Sequence, residues 1–152
     1  MHTLQEAIKN KKIKLFEDIL NNKISENTFA VGFHAVLNGT ADDIYNDPDQ
    51  FFALTHFTKN LAGIYKDVLT RVARDGGRPL LVIDTTFGGG KTHALVALYH
   101  LFRNPDAAKK NSDVKKILSD FDLSAVPEVS LVAIDCHNIS SVKGRGKART
   151  IW

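Results

Sequence analysis

The sequence predicts an α/β fold in which a parallel β-sheet lies between layers of helices. An unbroken apolar run at residues 80–83 is typical of a strand buried on both faces. A glycine-rich loop at 85–90 and a helical pattern at 91–102 follow at once, in the order of the first half of a βαβ unit. A second apolar run at 129–135 predicts the next strand, and the interval between the runs is long enough for a right-handed crossover.

The composition is that of one ordinary globular domain. Its 152 residues are 43% hydrophobic and 24% charged, which excludes a disordered chain. No apolar run approaches the roughly 20 residues of a membrane span, and the first residues lack the features of a signal peptide. The single Cys136 permits no internal disulfide and fits a reducing compartment. We therefore expect a cytoplasmic protein without membrane contact.

The charge distribution is uneven but mild. The net charge is +3, with basic clusters near both ends of the chain and an acidic stretch between them. Ribosomal and histone-like chains are far more basic, so this balance does not by itself indicate nucleic acid. We interpret the charged clusters as solvated faces and loops.

The beginning of the chain is expected to form an extension of the main domain. Apolar residues at helical spacing predict a helix at 13–20. A weak alternation at 29–33 predicts an extended segment, which is followed by a turn at Asn38-Gly39. We interpret residues 1–46 as an N-terminal helical extension and 47–152 as the N-terminal part of the sheet-containing domain, which we expect to continue beyond the chain end.

Two helices are predicted between this extension and the first strand. Asp47 is positioned to cap a helix whose first residue is Pro48, where the missing N–H has no cost. Thr58 is positioned to cap a long amphipathic helix at 59–74, which Gly76-Gly77 should close.

Two more helices are predicted between the strands. The helix at 91–102 should end before Asn104-Pro105, and Ser112 is positioned to cap a short helix that carries Val114 and Ile117. These helices would cover the faces of the sheet.

The stretch that carries chemistry is the loop after the first apolar run, with the sequence Thr85-Thr86-Phe87-Gly88-Gly89-Gly90-Lys91-Thr92. Its last three residues match the end of the phosphate-loop pattern. Glycines let several backbone amides point into one concavity, and the helix start adds its positive dipole end. Lys91 can reach the β- and γ-phosphates of a nucleotide, and the Thr92 hydroxyl can ligate Mg²⁺. The predicted fold is thus part of a P-loop NTPase, a three-layer αβα domain.

One position departs from the usual phosphate-loop pattern. Thr85 stands six residues before Lys91, where glycine is usual. The alternative interpretation is a glycine-rich strand-to-helix turn that binds nothing. The apolar run before the loop and the amphipathic helix after it favour nucleotide binding. We expect Thr85 in place of glycine to affect the efficiency of turnover more than the binding of nucleotide.

The loop also resembles a known family. Residues 87–93, Phe-Gly-Gly-Gly-Lys-Thr-His, together with Ala97-Leu98-Tyr99-His100-Leu101, resemble a family of large prokaryotic ATP-binding proteins known as domain of unknown function 499. The likeness extends upstream through Asp47-Pro48 and Phe51-Phe52, and downstream to the closing Arg149-Thr150-Ile151-Trp152.

This resemblance implies a function and a set of site residues. It implies an AAA-like P-loop ATPase core within a longer chain, of a kind often encoded beside DNA methylases and helicases in phage-defence or restriction loci. The implied ligands are ATP and Mg²⁺, with Lys91 as the catalytic residue and Thr92 as the metal ligand. The nucleotide-binding residues are expected to be Phe87, Gly88, Gly89, Gly90, Lys91, Thr92 and His93.

Hydrolysis requires acidic residues that the sequence does not clearly supply. A carboxylate at a strand end normally holds the Mg²⁺ shell. Asp135 follows an apolar run, but Cys136 rather than an acid comes next. We therefore interpret Asp135 as structural, or as a residue that supports the Mg²⁺ ligands without touching the ion. We expect the catalytic acids to lie outside this chain and the chain itself to be an incomplete domain, inactive alone, whose sheet edges promote self-association.

Two other functions stay open at this point. A non-catalytic regulator would bind nucleotide without turnover. A basic nucleic-acid-binding module would act without nucleotide, and its salt-dependent binding of DNA would survive loss of Lys91. DNA-processing proteins or DNA are expected as partners in the context of a longer ATPase.

The remaining candidate residues are assigned to structure. His93 and His100 share a helix face, but the chain lacks the spacings of a structural zinc site, even with Cys136-His137 nearby. His93 adjoins Thr92 and could approach the phosphates or instead pack in the fold. Phe51, Phe52 and Phe57 are interpreted as core residues rather than an adenine pocket.

Overall fold

The computed structural model of the chain describes residues 31–74, 76–84 and 88–136, all within the second of the two units into which the chain divides, Val31–Trp152. The predicted helix at 13–20 lies outside the described residues, and the predicted boundary between residues 46 and 47 stays a prediction. Seven helices occupy the described part of the chain: α1 (Phe33–Leu37), α2 (Asp43–Asn46), α3 (Pro48–Leu54), α4 (Lys59–Ala73), α5 (Lys91–Arg103), α6 (Pro105–Ala108) and α7 (Ser112–Asp120). Among these helices, none combines the length and the apolar character that a bilayer-spanning segment requires.

The first two predicted caps are confirmed. Asp47 accepts hydrogen bonds from the backbone N–H groups of Asp49 and Gln50, and α3 starts at Pro48. The hydroxyl oxygen of Thr58 accepts from the Leu61 N–H at 3.2 Å, so α4 begins at the residue after it. Hydrogen bonds to the Asp47 carboxylate, above all the one from the Gln50 side chain, hold its pKa below the usual value. A lowered pKa is the direction expected for a carboxylate that caps a helix.

The extended segment predicted at 29–33 is wrong in its last residue, because α1 already begins at Phe33. Phe33, Val36 and Leu37 stand at i, i+3 and i+4, and this helical spacing places Val36 in the core at 5% exposure. An alternation of three residues is too short to outweigh it. The predicted turn after α1 is confirmed, since Gly39 adopts a left-handed φ of 70°.

The core lies where α4 packs against α5. Tyr65 and Leu69 of α4 are fully buried, as are Ala97 and Leu101 of α5. The Tyr65 hydroxyl donates to the backbone carbonyl oxygen of Ala97 at 2.7 Å, so its one polar atom is satisfied, and burial raises the pKa of this phenol. A further helix, α7, packs on α4 and extends the same core.

The predicted parallel sheet is wrong for the described residues. Neither apolar run forms a strand in the described part of the chain, so the α/β fold class and the three-layer αβα P-loop arrangement are not observed there. Side chains that a central strand would bury are open to solvent: Leu80 is 72% exposed, Val82 72% and Val132 78%. An apolar run indicates that burial is favourable, but a strand also needs a neighbour with which to pair, and the run does not supply one.

Asn111, rather than the predicted Ser112, caps α7. Its Oδ1 accepts from the backbone N–H of Asp113 at 2.9 Å and of Val114 at 3.3 Å. Its Nδ2 donates to the backbone carbonyl oxygen of Phe52 at 2.9 Å. One side chain therefore starts α7 and joins it to α3.

Replacing Asn111 with alanine is expected to lower the free energy of unfolding by about 1–2 kcal/mol, because a cap and a hydrogen bond between helices are lost together. Ser112→Ala is the matched control one residue away, with an expected change within about 0.5 kcal/mol. Urea denaturation measures both variants. Equal losses in the two would show that Asn111 is not the cap.

Candidate functional site

The glycine-rich loop ends in a turn built from left-handed glycines. Gly88 and Gly90 have φ values of 77° and 78°, a region that side chains with a Cβ rarely adopt. A Cβ added at either position would meet no heavy atom within 4 Å. The glycines are therefore required by the backbone conformation and not by packing against the described residues. Phe87 lies outside the described residues.

The helix that follows this turn begins without a side-chain cap. Gly90 occupies the N-cap position of α5, where it offers no side chain to the first amides. Of the four described helices longer than five residues, α3, α4 and α7 are capped by Asp47, Thr58 and Asn111, and α5 alone is not. The first amides of a helix lack acceptors within the helix, and the helix dipole makes this end positive. The start of α5 is thus suited to an anion.

Lys91 and Thr92 are the first two residues of α5. The Lys91 side chain is exposed, and Thr92 is half-buried. The Thr92 hydroxyl makes no hydrogen bond to another residue in the described part of the chain. A cation and a hydroxyl therefore stand beside the glycine turn, as the motif predicts, although their role in binding stays a prediction.

His93, the third residue of α5, faces the core. Its ring lies 4.8 Å from the ring of Phe51, and its Nε2 lies 3.3 Å from the hydroxyl oxygen of Thr55. The Thr55 hydroxyl itself donates to the Phe51 carbonyl oxygen at 2.7 Å, so His93 is the donor in the other bond. Burial lowers the pKa of His93. This ring anchors the first turn of α5, and no sequence signal indicated the role of Thr55.

Comparison with known families identifies the chain. The profile of the DUF499 N-terminal domain matches residues 8–151. The chain belongs to the DUF499 family. The family resemblance of the glycine loop and its surroundings is thereby confirmed, whereas the match carries no statement about ATPase activity. No curated protein and no solved structure is significantly similar to the chain.

The described part of this DUF499 domain contains no cluster of metal-ligating side chains. No group of three or more His, Cys, Asp or Glu residues is close enough to hold an ion there. Asp135 is half-buried beside the exposed Cys136.

The phenylalanines before the loop belong to the core of the DUF499 domain, as predicted. Phe51 and Phe52 are 1% and 2% exposed. Phe57 packs edge-on against Tyr65, with 5.1 Å between the ring centroids. The rings of Phe51 and Phe52 are covered by protein and offer no open face to an adenine base, and Phe57 is partly buried against the same core.

A second buried histidine fixes α5 in the DUF499 domain. His100 is 2% exposed, and its Nε2 lies 2.7 Å from the Tyr45 carbonyl oxygen. Its Nδ1 lies 3.2 Å from the Asn104 side-chain nitrogen, so the neutral ring donates at one end and accepts at the other. Burial lowers the pKa of His100, opposed by the bond to Tyr45 and by the Asp47 carboxylate.

The lowered pKa values of His93 and His100 predict acid sensitivity. The folded state favours neutral rings, whereas the unfolded chain binds protons near pH 6.5, so stability is complete above that pH and is lost as the pH falls below it. Between pH 7.5 and 5.5 the free energy of unfolding should fall by up to about 1.4 kcal/mol for each histidine. Urea titrations at both pH values measure this. The slope should decrease in His100→Gln and persist in His56→Gln, an exposed control.

Proposed function

We propose that this DUF499 domain binds Mg·ATP at the glycine turn and the start of α5. The observation that carries the proposal is the uncapped N-terminus of a 13-residue helix directly after two left-handed glycines. Backbone amides and the helix dipole there favour a phosphate group, and a Cβ placed at Gly88 or Gly90 would meet no described residue within 4 Å.

The side chains beside the turn suit a triphosphate. The Lys91 ammonium supplies a point charge for the β- and γ-phosphates, and the amides of the turn supply directional donors. Mg²⁺ prefers oxygen ligands and keeps several waters, so the Thr92 hydroxyl together with phosphate oxygens fits the ion. When bound, the ion neutralises phosphate charge. The residues present therefore fit the nucleotide and its metal.

The proposal is one of binding, with hydrolysis dependent on further residues. The one candidate carboxylate that the sequence offered for the Mg²⁺ shell, Asp135, is followed by Cys136 rather than by a second acid, and we interpret it as structural. The larger setting, an AAA-like ATPase linked to DNA-directed phage defence or restriction, rests on the family resemblance and belongs to the same proposal. Binding of nucleotide would support that setting, and turnover would require further acidic residues.

Calorimetric titration of the chain with Mg·ATP, Mg·ADP and AMP tests the proposal. We expect micromolar binding of Mg·ATP and at least about tenfold weaker binding of AMP, because AMP lacks the phosphates that Lys91 would contact. Circular dichroism recorded on the same sample shows whether the protein is folded. Folded protein that binds no nucleotide, or that binds AMP as tightly as ATP, would refute the site.

A further inference from the structure

Thr55 joins the end of α3 to the first turn of α5. It is the C-cap residue of α3 and is 7% exposed. Its backbone N–H and its hydroxyl both donate to the Phe51 carbonyl oxygen, at 2.9 and 2.7 Å. Because that bond uses the single hydroxyl hydrogen, the hydroxyl oxygen can only accept from Nε2 of His93, which lies 3.3 Å away. The Thr55 hydroxyl is therefore an acceptor of fixed position, and the His93 ring carries its hydrogen on Nε2.

The helix that ends at this acceptor is itself held in place. Its first turn is capped by Asp47, and the side chain of Phe51 is 1% exposed in the core. The Phe52 carbonyl oxygen accepts from Nδ2 of Asn111 at 2.9 Å, which joins α3 to the start of α7. Since α3 is fixed by these contacts, a hydrogen bond to Thr55 restrains the group that donates it.

The first turn of α5 depends on support from outside the helix. It starts at Gly90, which provides no side-chain cap, and it is closed by the bond from the Ala94 N–H to the Gly90 carbonyl oxygen at 2.9 Å. The side chain of His93 packs on the ring of Phe51 and donates to Thr55. The His93 ring thus connects this turn with α3, and Thr55 supplies the directional part of that connection.

We propose that Thr55 is a positioning residue of the phosphate site and that it acts through His93 to hold the first turn of α5 in its binding conformation. This role rests on the proposed function, because the amides of that turn are the groups proposed to bind phosphate. Donors that are ordered before the ligand arrives lose less conformational entropy on binding. Thr55 contacts the turn through the His93 ring and needs no contact with the ligand.

Replacing Thr55 with valine tests this role, because valine keeps the shape of the side chain and removes the acceptor. We expect Thr55→Val to weaken Mg·ATP binding by about three- to tenfold in calorimetric titration, the range for loss of one hydrogen bond. Thr55→Ser keeps the hydroxyl and should bind within about twofold of the wild type. Rescue by serine would show that the hydroxyl, and not the bulk of the side chain, is required.

Thr70→Val is the matched control. The Thr70 hydroxyl donates to the Lys66 carbonyl oxygen at 2.7 Å, so this threonine makes the same bond to the carbonyl four residues before it. His93 donates to Thr55 and not to Thr70. The control therefore removes the same bond within a helix and keeps the bond to His93. Its affinity for Mg·ATP should stay within about twofold of the wild type.

A double variant tests the route through His93. His93→Phe keeps a ring beside Phe51 but has no donor for Thr55. In the His93→Phe background, Thr55→Val should therefore weaken Mg·ATP binding by less than about twofold further. A full additional loss in the double variant would show that Thr55 does not act through His93, and it would overturn the proposal.

Hydrogen exchange of the Ala94 amide, measured by NMR without nucleotide, separates this role from the proposed function. If Thr55 holds the first turn, local opening should speed exchange at Ala94 by about three- to tenfold in Thr55→Val. Thr55→Ser and Thr70→Val should leave this rate unchanged. The nitrogen NMR signals of the His93 ring, which differ between tautomers, should shift in Thr55→Val and keep their positions in the control.

The outcomes distinguish the two proposals. A folded wild-type protein that binds no Mg·ATP would refute the proposed function, and exchange at Ala94 would still support or refute the hold of Thr55 on the turn. Unchanged exchange in Thr55→Val, equal effects in Thr70→Val, or no rescue by serine would each overturn the positioning role. So would tight binding in the wild type that Thr55→Val leaves unchanged.

Discussion

Replacing Lys91 with alanine is expected to weaken Mg·ATP binding by about 10- to 100-fold, because the variant removes a charge-assisted contact to the phosphates. The side chain is exposed at the first position of α5, and alanine is a good helix former. The free energy of unfolding should therefore change by less than about 1 kcal/mol, the usual limit for the contacts of an exposed charged side chain. Calorimetric titration measures the affinity, and urea denaturation measures the stability.

Lys59→Ala is a close control for this variant. Lys59 is also an exposed lysine at the first position of a long helix, but α4 is capped by Thr58 and follows no glycine turn. The two variants remove the same charge from the same helix position, so a general electrostatic effect would weaken binding equally in both. Equal effects would refute a phosphate role for Lys91, and loss confined to Lys91→Ala supports it.

Local signals in the sequence were sufficient to predict several helix boundaries. Asp47 and Thr58 were identified as caps because a short polar side chain before a helical apolar pattern satisfies the first amides. The start of α5 at Lys91 followed from three glycines before a periodic run. In each case the hydrogen bonds that decide the boundary join residues close together in the chain. The exception is α7, where Asn111 and Ser112 are adjacent candidates and the bond from Asn111 to Phe52 joins distant residues.

The sheet could not be established in this way, because strand formation depends on residues far away in the chain. The runs at 79–84 and 129–135 have the composition of buried strands, but Leu80 and Val132 remain exposed and no described residue pairs with them. Composition reports the preference of a side chain for burial, whereas a ladder depends on a second backbone at the right distance. The prediction of two central strands rested on the first property alone.

The backbone conformation of the candidate site could be predicted from the sequence, but the contacts of the residues around it could not. The left-handed turn at Gly88 and Gly90 follows from the conformational freedom of glycine. The position of His93 does not, because the same residue could face the loop or the core. Its contacts with Phe51 and Thr55 depend on how α3 packs against α5, and a residue 38 positions away supplies the hydrogen bond. The turn at residues 88–90 was therefore predictable from the sequence, and the packing of the first turn of α5 against the core was not.

Phe51 contacts both histidines that hold α5 against the core. Phe51→Ala should therefore lower the free energy of unfolding more than any other variant considered. The side chain is 1% exposed. Its ring centroid lies 4.8 Å from that of His93, 5.3 Å from that of His100 and 5.5 Å from that of Phe52. Truncation leaves a cavity among three rings, and comparable phenylalanine truncations cost about 3–5 kcal/mol. Since small domains are stable by only about 5–15 kcal/mol, the variant should be folded only marginally.

Two further variants, Phe51→Leu and Phe121→Ala, test whether the effect is specific to Phe51. They separate the stabilisation from packing of α3 on α5 from the stabilisation that any buried aromatic ring provides. Leucine keeps most of the apolar contact, so its cost should stay near about 1–1.5 kcal/mol. Phe121 is half-buried under the Arg74 guanidinium, and its truncation should cost less than that of Phe51. Urea denaturation measures the free energy of unfolding of all three variants.

Because the ring of Phe51 supports His93 in the first turn of α5, the folded Phe51→Leu protein should also bind Mg·ATP a few-fold more weakly. If Phe51→Ala loses much stability but Phe51→Leu binds Mg·ATP as tightly as the wild type, then Phe51 stabilises the packing of α5 without positioning its first turn for the nucleotide.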